Sequence, residues 1–223
     1  KIIYQKNINE RVPMASITKL MTAIISLENL DPKTRIKITK KAIYEEGSAG
    51  NLKPDEELFL SDLVKIMLIV SSNDAAAAIE EYFFNFNIDL IALMNQKAEA
   101  LGMTDTRFAN AAGLDKEDHF SSAYDLAKLA SYILNKNNDI LNILTQEQAT
   151  VQSLDKKSSH FLLSTNQLLN NNTPEMMGGK TGYTKNALGC MLSILKDGNI
   201  IVVLGSQDRF GETKKLIQMI DKQ

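Results

Sequence analysis

Three short segments carry residue types that together could transfer an acyl group: Ser16-Ile17-Thr18-Lys19, Ser71-Ser72-Asn73 and Lys180-Thr181-Gly182. Ser16 and Lys19 are three residues apart, which on a helix places both side chains on one face within reach of each other. A serine hydroxyl becomes a competent nucleophile only when a base takes its proton. A lysine can be that base if burial and a nearby positive charge bring its pKa toward neutrality, and Lys180 could supply the charge. At a helix start the Ser16 backbone N–H points to where an oxyanion would form.

Ser71 and Asn73 follow an apolar run, so two polar groups at that junction must face a partner or a cleft. Ser71 could pass a proton to a leaving amine, and the Asn73 amide could hold a substrate carbonyl and Lys19. Around Lys180 the run Gly178-Gly179-Lys180-Thr181-Gly182-Tyr183 reads as an edge strand whose glycines admit a second backbone. A peptide could add to it by strand addition, with Lys180 and Thr181 gripping a terminal carboxylate. Taken singly, each segment has an ordinary structural reading: a helix start with a capping serine, a helix junction, and a glycine-rich turn with solvated lysines. Their combination and order point to chemistry.

Other chemistries find less support. His119 and His160 do not stand in metal-ligand spacing with Cys, Asp or Glu; they read as surface or hydrogen-bonded histidines, and no metal or other cofactor is expected. A Ser-His-Asp triad lacks the G-x-S-x-G elbow that would support it. Cys190 is the single cysteine and lies in the apolar run Cys190–Leu195, the setting of a small buried hydrophobe rather than a reactive thiol.

The elements that must position these residues follow from periodicity. Residues 1–5 alternate weakly and read as a first strand. Ser16 to Glu28 is helical, with Leu20, Ile24 and Leu27 on one face, and Asp31-Pro32 ends it. Arg35–Thr39 alternates as a short strand, followed by a loop from Gly47 to Pro54. Ser61 reads as the N-cap of a helix whose run Leu63–Val70 is apolar almost all round and therefore buried. An Ala-rich helix starts after Ser71-Ser72-Asn73, and residues 88–101 form another, closed by Gly102. Ser122 begins a helix through about Leu134 in capping-box style. Asn135–Asn138 and Asn170–Asn172 are polar loops. Ala187–Leu195 and Asn199–Gly205 are strands joined through Asp197-Gly198, a two-residue hairpin signal, and Glu212–Asp221 is a final amphipathic helix. The expected architecture is α/β (α+β): an antiparallel sheet flanked by helices. Residues 1–40 and 150–223 form an α/β subdomain, and residues 41–149 a mainly helical insert.

With 223 residues, 44% of them hydrophobic, the chain can bury one substantial core. The formal charge of −2 gives no electrostatic case for nucleic-acid binding. No apolar stretch reaches the roughly 20 residues that span a bilayer. The chain opens on Lys1-Ile2-Ile3-Tyr4 rather than Met and reads as if entered mid-strand, so a targeting segment is expected to lie outside it.

The residues resemble one family, the penicillin-binding D-alanyl-D-alanine carboxypeptidases of the bacterial wall, whose motif set is S-x-x-K, S-x-N and K-T-G. Pro13-Met14-Ala15-Ser16-Ile17-Thr18-Lys19-Leu20-Met21-Thr22-Ala23 is close to its P-x-A-S-x-T-K-L-M-T-A, and Ser71–Ala76 to its S-[GS]-N-D-A-A. Asn110–Asp115, His119–Ala127 and Ser164–Leu169 resemble three more of its segments, so the likeness runs through essentially the whole chain. It implies a β-lactamase/DD-peptidase-like fold and assigns roles. Ser16 attacks the carbonyl between two terminal D-alanines, and Lys19 is the acylation base. Ser71 and Asn73 relay protons and orient substrate. Lys180 and Thr181 hold the terminal carboxylate, and the N–H groups of Ser16 and Tyr183, beside Gly182, form the oxyanion hole. The implied partners are the peptidoglycan stem peptide ending in D-Ala-D-Ala and β-lactams as covalent inhibitors. The implied location is outside the cytoplasmic membrane, with any anchor or β-rich second domain beyond this sequence. Tyr183 stands where His is frequent in the family, a difference expected to bear on activity or β-lactam sensitivity.

Two alternatives share the machinery. A β-lactamase of class A needs a deacylating glutamate in E-x-x-L-N; the nearest segment, Asn166-Gln167-Leu168-Leu169-Asn170, lacks it and lies shortly before Lys180. A non-catalytic sensor of β-lactam or wall peptide has nothing in its favour, because every motif residue is intact.

Overall fold

A computed structural model describes residues 1–47, 50–171 and 173–220. A single 3-10 turn, Ala15–Thr18, leads directly into α1 (Lys19–Asn29). There follow β1 (Arg35–Lys37), α2 (Lys40–Ile43), β2 (Glu57–Phe59), α3 (Leu60–Ile69), α4 (Asn73–Asn85), α5 (Leu90–Ala100), α6 (Ala123–Lys136) and α7 (Asn138–Leu144). The remainder is β3 (Gln148–Gln152), β4 (Ser159–Leu163), α8 (Gln167–Asn170), β5 (Met176–Thr184), β6 (Leu188–Leu195), β7 (Ile200–Ser206) and α9 (Arg209–Ile220).

The sheet that matters for the site is antiparallel, in the order β5-β6-β7, with β5 at an edge as its glycine-rich sequence predicts. Every residue of β6 from Gly189 to Leu195 is buried, because both faces of the sheet are covered. Cys190, Leu192 and Ile194 join the main core, while Met191 and Leu195 face a second cluster with Ile201, Val203 and Ile217 of α9. This two-residue alternation across a covered sheet explains why the strand reads as a continuous apolar run. In the main core α3 packs against α1, α4 and α7. Its Leu63, Val64, Ile66 and Met67 are fully buried, and each such side chain contributes about 1.5–3 kcal/mol.

Several expectations are corrected. Residues 1–5 form no strand; Ile2, Ile3 and Tyr4 are exposed, and the first pairing of the chain is the bridge Val12–Ser121. A weakly alternating run with no strand beside it has nothing to satisfy its backbone. Ser61 does not cap α3, which starts one residue earlier. The Leu60 and Ser61 N–H groups donate instead to the carbonyls of Thr34 and Pro32, so the preceding loop does the capping. Four residues, Lys196–Asn199, connect β6 to β7 rather than two: Gly198 N–H donates to Leu195 O, Leu195 N–H to Asn199 O, and Gly198 takes φ +87°. That is the longer hairpin built on a left-handed glycine. The hairpin β3–β4 was not expected at all. The last helix starts three residues before Glu212, and its expected end, Asp221, lies outside the described residues, as does Asn172. Ser122 does cap α6, accepting from the Asp125 N–H at 3.2 Å.

Candidate active site

Ser16 occupies the 3-10 turn rather than the first turn of α1, a correction to the expected helix start. Its neighbour Ala15 has φ +48°, a left-handed conformation that costs a side-chain-bearing residue on the order of 1–3 kcal/mol. Two glycines let the turn sit there. A Cβ on Gly113 (φ +89°) would lie 2.1 Å from the Ala15 carbonyl oxygen, and a Cβ on Gly182 would lie 3.0 Å from Ser16 N. Strand β5 and the loop at Gly113 thus close on the turn at backbone distance.

The side chains of Ser16 and Lys19 meet as their spacing predicts. Lys19 Nζ lies 2.8 Å from Ser16 Oγ and donates to Asn73 Oδ1 at 2.7 Å and to the Ala112 carbonyl. Lys19 is fully buried. Burial lowers its pKa well below the ordinary 10.5, and the Lys180 cation lowers it further, against opposing pulls from Asp74 and Glu45. A buried lysine of depressed pKa beside a serine hydroxyl can take up the proton of that hydroxyl.

Asn73 reaches this position because Ser72, not Asn73, caps α4: Ser72 Oγ accepts from the Ala75 N–H at 3.0 Å. Asp74 is buried, and its carboxylate accepts from the Gly50 and Ala75 N–H groups and from Ser72 Oγ. The Asn73 amide also donates to the Glu46 carbonyl, so one of its two N–H groups is left for a ligand. Ser71 has φ +62° where a helix C-terminus ordinarily places glycine. That turn aims its hydroxyl away from α3 toward β5.

There Lys180 Nζ donates to Ser71 Oγ at 2.8 Å and to the Thr181 carbonyl at 2.9 Å. Lys180 is buried, and burial, assisted by the nearby Arg209 cation, lowers its pKa to about 7. Ser16, Lys19 and Asn73 therefore form one hydrogen-bonded group, and Ser71 and Lys180 a second, coupled to the first by the charge of Lys180. Thr181 is buried and shares a 2.5 Å hydroxyl–hydroxyl hydrogen bond with Thr165. Tyr183 is 66% exposed and lines an open cleft of about 390 Å³ with Leu188, Ser206 and Arg209.

Three contributors had not been singled out. Thr165 ties the third segment to α3, its N–H donating to Ile69 O and its hydroxyl meeting Thr181. Arg209 donates to the Gly182 carbonyl at 3.3 Å. The Ala112 carbonyl is a third partner for Lys19. Ala112 and Thr165 lie in segments that carried the family resemblance, whereas Arg209 had no signal in the sequence. Cys190 is buried and its thiol is pushed up to about 11, so it is packing and not chemistry. Both histidines are buried and hydrogen-bonded. Among the described residues no cluster of three His, Cys, Asp or Glu could hold a metal, and no helix is long and apolar enough to cross a membrane.

Comparison with known proteins places this geometry in context. The family described as D-alanyl-D-alanine carboxypeptidase matches residues 1–208. The chain is 36% identical over 230 residues to D-alanyl-D-alanine carboxypeptidase DacF of Bacillus subtilis, covering 99% of this chain and 58% of that protein. It is 37% identical over 173 residues to the D-alanyl-D-alanine endopeptidase of Haemophilus influenzae, covering 77% of this chain and 58% of that one. The chain thus spans somewhat over half the length of these relatives. Among solved structures, D-alanyl-D-alanine carboxypeptidase DacD from Francisella tularensis superposes with a TM-score of 0.86 at 29% identity, covering 98% of this chain and 67% of that one. The Streptomyces K15 DD-transpeptidase has a TM-score of 0.88 at 24% identity, covering 97% of this chain and 90% of that one, a likeness of fold.

Proposed function

The chain belongs to the D-alanyl-D-alanine carboxypeptidase family, and on that premise we propose that it is a serine-type peptidase. It removes the terminal D-alanine from peptidoglycan stem peptides through a Ser16 acyl-enzyme. The observation that carries this reading is the position of Lys19 Nζ, buried, depressed in pKa and 2.8 Å from Ser16 Oγ.

The peptide adds to the free edge of β5, with its terminal carboxylate against Lys180 and Thr181. Neutral Lys19 takes the Ser16 proton as Oγ attacks the carbonyl carbon of the penultimate D-alanine. The oxyanion forms against the N–H groups of Ser16 and Tyr183. As the carbon–nitrogen bond breaks, Ser71, hydrogen-bonded to Lys180, passes its proton to the departing amine and takes up in its place the proton Lys19 had accepted, so that D-alanine leaves and Lys19 is neutral again. Asn73 holds Lys19 in place through Oδ1 and offers its remaining N–H to the substrate. Water then attacks the ester, its proton returning through the same base, and the shortened peptide is released. β-Lactams that mimic the dipeptide acylate Ser16 and leave slowly. Action on wall peptide implies an exported protein working outside the cytoplasmic membrane.

The Haemophilus relative named an endopeptidase, at 37% identity, supports a second reading, cleavage of a D-alanyl cross-link through the same acyl-enzyme. Incubation with a pentapeptide ending in D-Ala-D-Ala and with cross-linked muropeptide, followed by mass analysis of products, tests both. Release of free D-alanine from the pentapeptide supports the carboxypeptidase. Cleavage of the cross-link alone replaces it with the endopeptidase, and labelling by penicillin with neither product points to a sensor. Rapid turnover of a chromogenic cephalosporin points to a β-lactamase.

A further inference from the structure

His119 belongs to none of the three segments, yet it is buried directly behind the nucleophile turn. Its bonding pattern fixes its tautomer. The Thr18 hydroxyl donates to the Ala15 carbonyl at 2.8 Å, so its single proton is committed. The contact between Thr18 Oγ1 and His119 Nε2, at 2.7 Å, therefore requires the ring nitrogen to donate. Independently, the Ala109 N–H donates to His119 Nδ1 at 2.9 Å, which requires that nitrogen to accept. Both ends demand the same neutral ring, protonated at Nε2. Burial depresses the His119 pKa to about 4, in keeping with that state.

The result is one directed chain of hydrogen bonds: Ala109 N–H to His119, His119 Nε2–H to Thr18, and Thr18 O–H to the carbonyl of Ala15. Its last acceptor belongs to the residue held at φ +48° immediately before Ser16. A strained turn persists only where its surroundings over-determine it. Gly113 also packs closely on that carbonyl, since a Cβ there would lie 2.1 Å from its oxygen. We propose that His119 is a positioning residue, which through Thr18 orients the Ala15 carbonyl and so fixes the turn that presents Ser16 Oγ to Lys19 and to substrate.

This rests on Ser16 being the nucleophile, and the test separates the two. Acylation by a fluorescent penicillin is resolved into a non-covalent dissociation constant and a first-order acylation rate, with thermal melting measured in parallel. Gln places an amide N–H where Nε2–H sits, whereas Asn reaches only the Nδ1 position and can satisfy Ala109 alone. His119→Asn and His119→Leu are expected to lose about tenfold or more in the acylation rate, with the dissociation constant unchanged, since small misplacements of a reacting group cost that much. His119→Gln is expected to stay within about threefold of the parent rate. Equal rates for the Gln and Asn variants, or lowered melting temperatures with the parent acylation rate, overturn the proposal. If the His119 variants do not fold, Thr18→Ser and Thr18→Val decide: Ser retains the parent rate and Val loses it, and equal rates overturn the proposal. Labelling that survives in Ser16→Ala would instead remove the nucleophile assignment itself, and the positioning role with it.

Discussion

Replacing Lys180 with methionine should make the protein more stable at mildly acidic pH while abolishing its chemistry. Lys180 is fully buried, and its pKa falls from 10.5 to about 7. The folded state therefore binds the proton less tightly than the unfolded chain does. The penalty is full below pH 7 and is relieved as pH rises from the folded toward the unfolded value. A depression from 10.5 to about 7 amounts to about 5 kcal/mol at its fullest. Of this, about 3 kcal/mol is relieved between about pH 6 and about pH 9. Methionine keeps an unbranched side chain, one atom shorter, but leaves Ser71 Oγ and the Thr181 carbonyl without their donor, a cost of about 1–3 kcal/mol that does not depend on pH. At about pH 6 the variant should then exceed the parent by about 2–4 kcal/mol. That advantage should shrink by about 3 kcal/mol at about pH 9, to near parity or below. Loss of the Lys180 charge also raises the Lys19 pKa, which steepens the difference in the same direction. Urea unfolding of both proteins at the two pH values measures it, and groups common to both cancel. Parallel stabilities across the pH range would refute the reasoning, because they would mean that Lys180 titrates alike in the folded and unfolded states.

Lys19→Ala should fold and bind penicillin non-covalently but lose a factor on the order of 10² or more in acylation rate, the toll of a missing general base; a rate near the parent value would exclude Lys19 from that role. Gly113→Ala forces a Cβ against the Ala15 carbonyl at a residue with φ +89°, so both melting temperature and acylation rate should fall, with a stability loss of about 2 kcal/mol or more. Cys190, with its thiol pushed up to about 11 by burial, should resist iodoacetamide in the native protein and react fully after denaturation; native labelling would place it in a different environment.

The chemistry was more legible in the sequence than the scaffold that aims it. A three-residue spacing is enough to put Ser16 and Lys19 together, because the local backbone does the work. The strands β6 and β7 and the buried α3 were legible for a related reason, as apolar runs whose length and flanking residues reflect the local backbone and its burial. What was not legible depends on partners distant in sequence. Leu60 and Ser61 are capped by carbonyls of Pro32 and Thr34, so Ser61 looked like a cap it is not. The β3–β4 hairpin has a polar first strand, Gln148–Gln152, and a second with Phe161 and Leu163 exposed on its outer face, so neither shows a clear inside-outside pattern. His119 meets Thr18 across 101 residues of chain; its sequence neighbourhood marks it as the first residue of a family-like segment, but nothing there pairs it with Thr18. The left-handed Ala15 and Ser71 carry no glycine to announce them. These two strained residues flank the chemistry, the place where local propensity is expected to give way to function.

The central claim is that Ser16, activated by Lys19, is the residue that becomes acylated. Digestion and mass spectrometry of the penicillin-treated protein test it most directly. The adduct should reside on the peptide that carries Ser16, one per chain, and should vanish together with D-alanine release in Ser16→Ala. An adduct on any other residue, or D-alanine release that persists without the Ser16 hydroxyl, would contradict it.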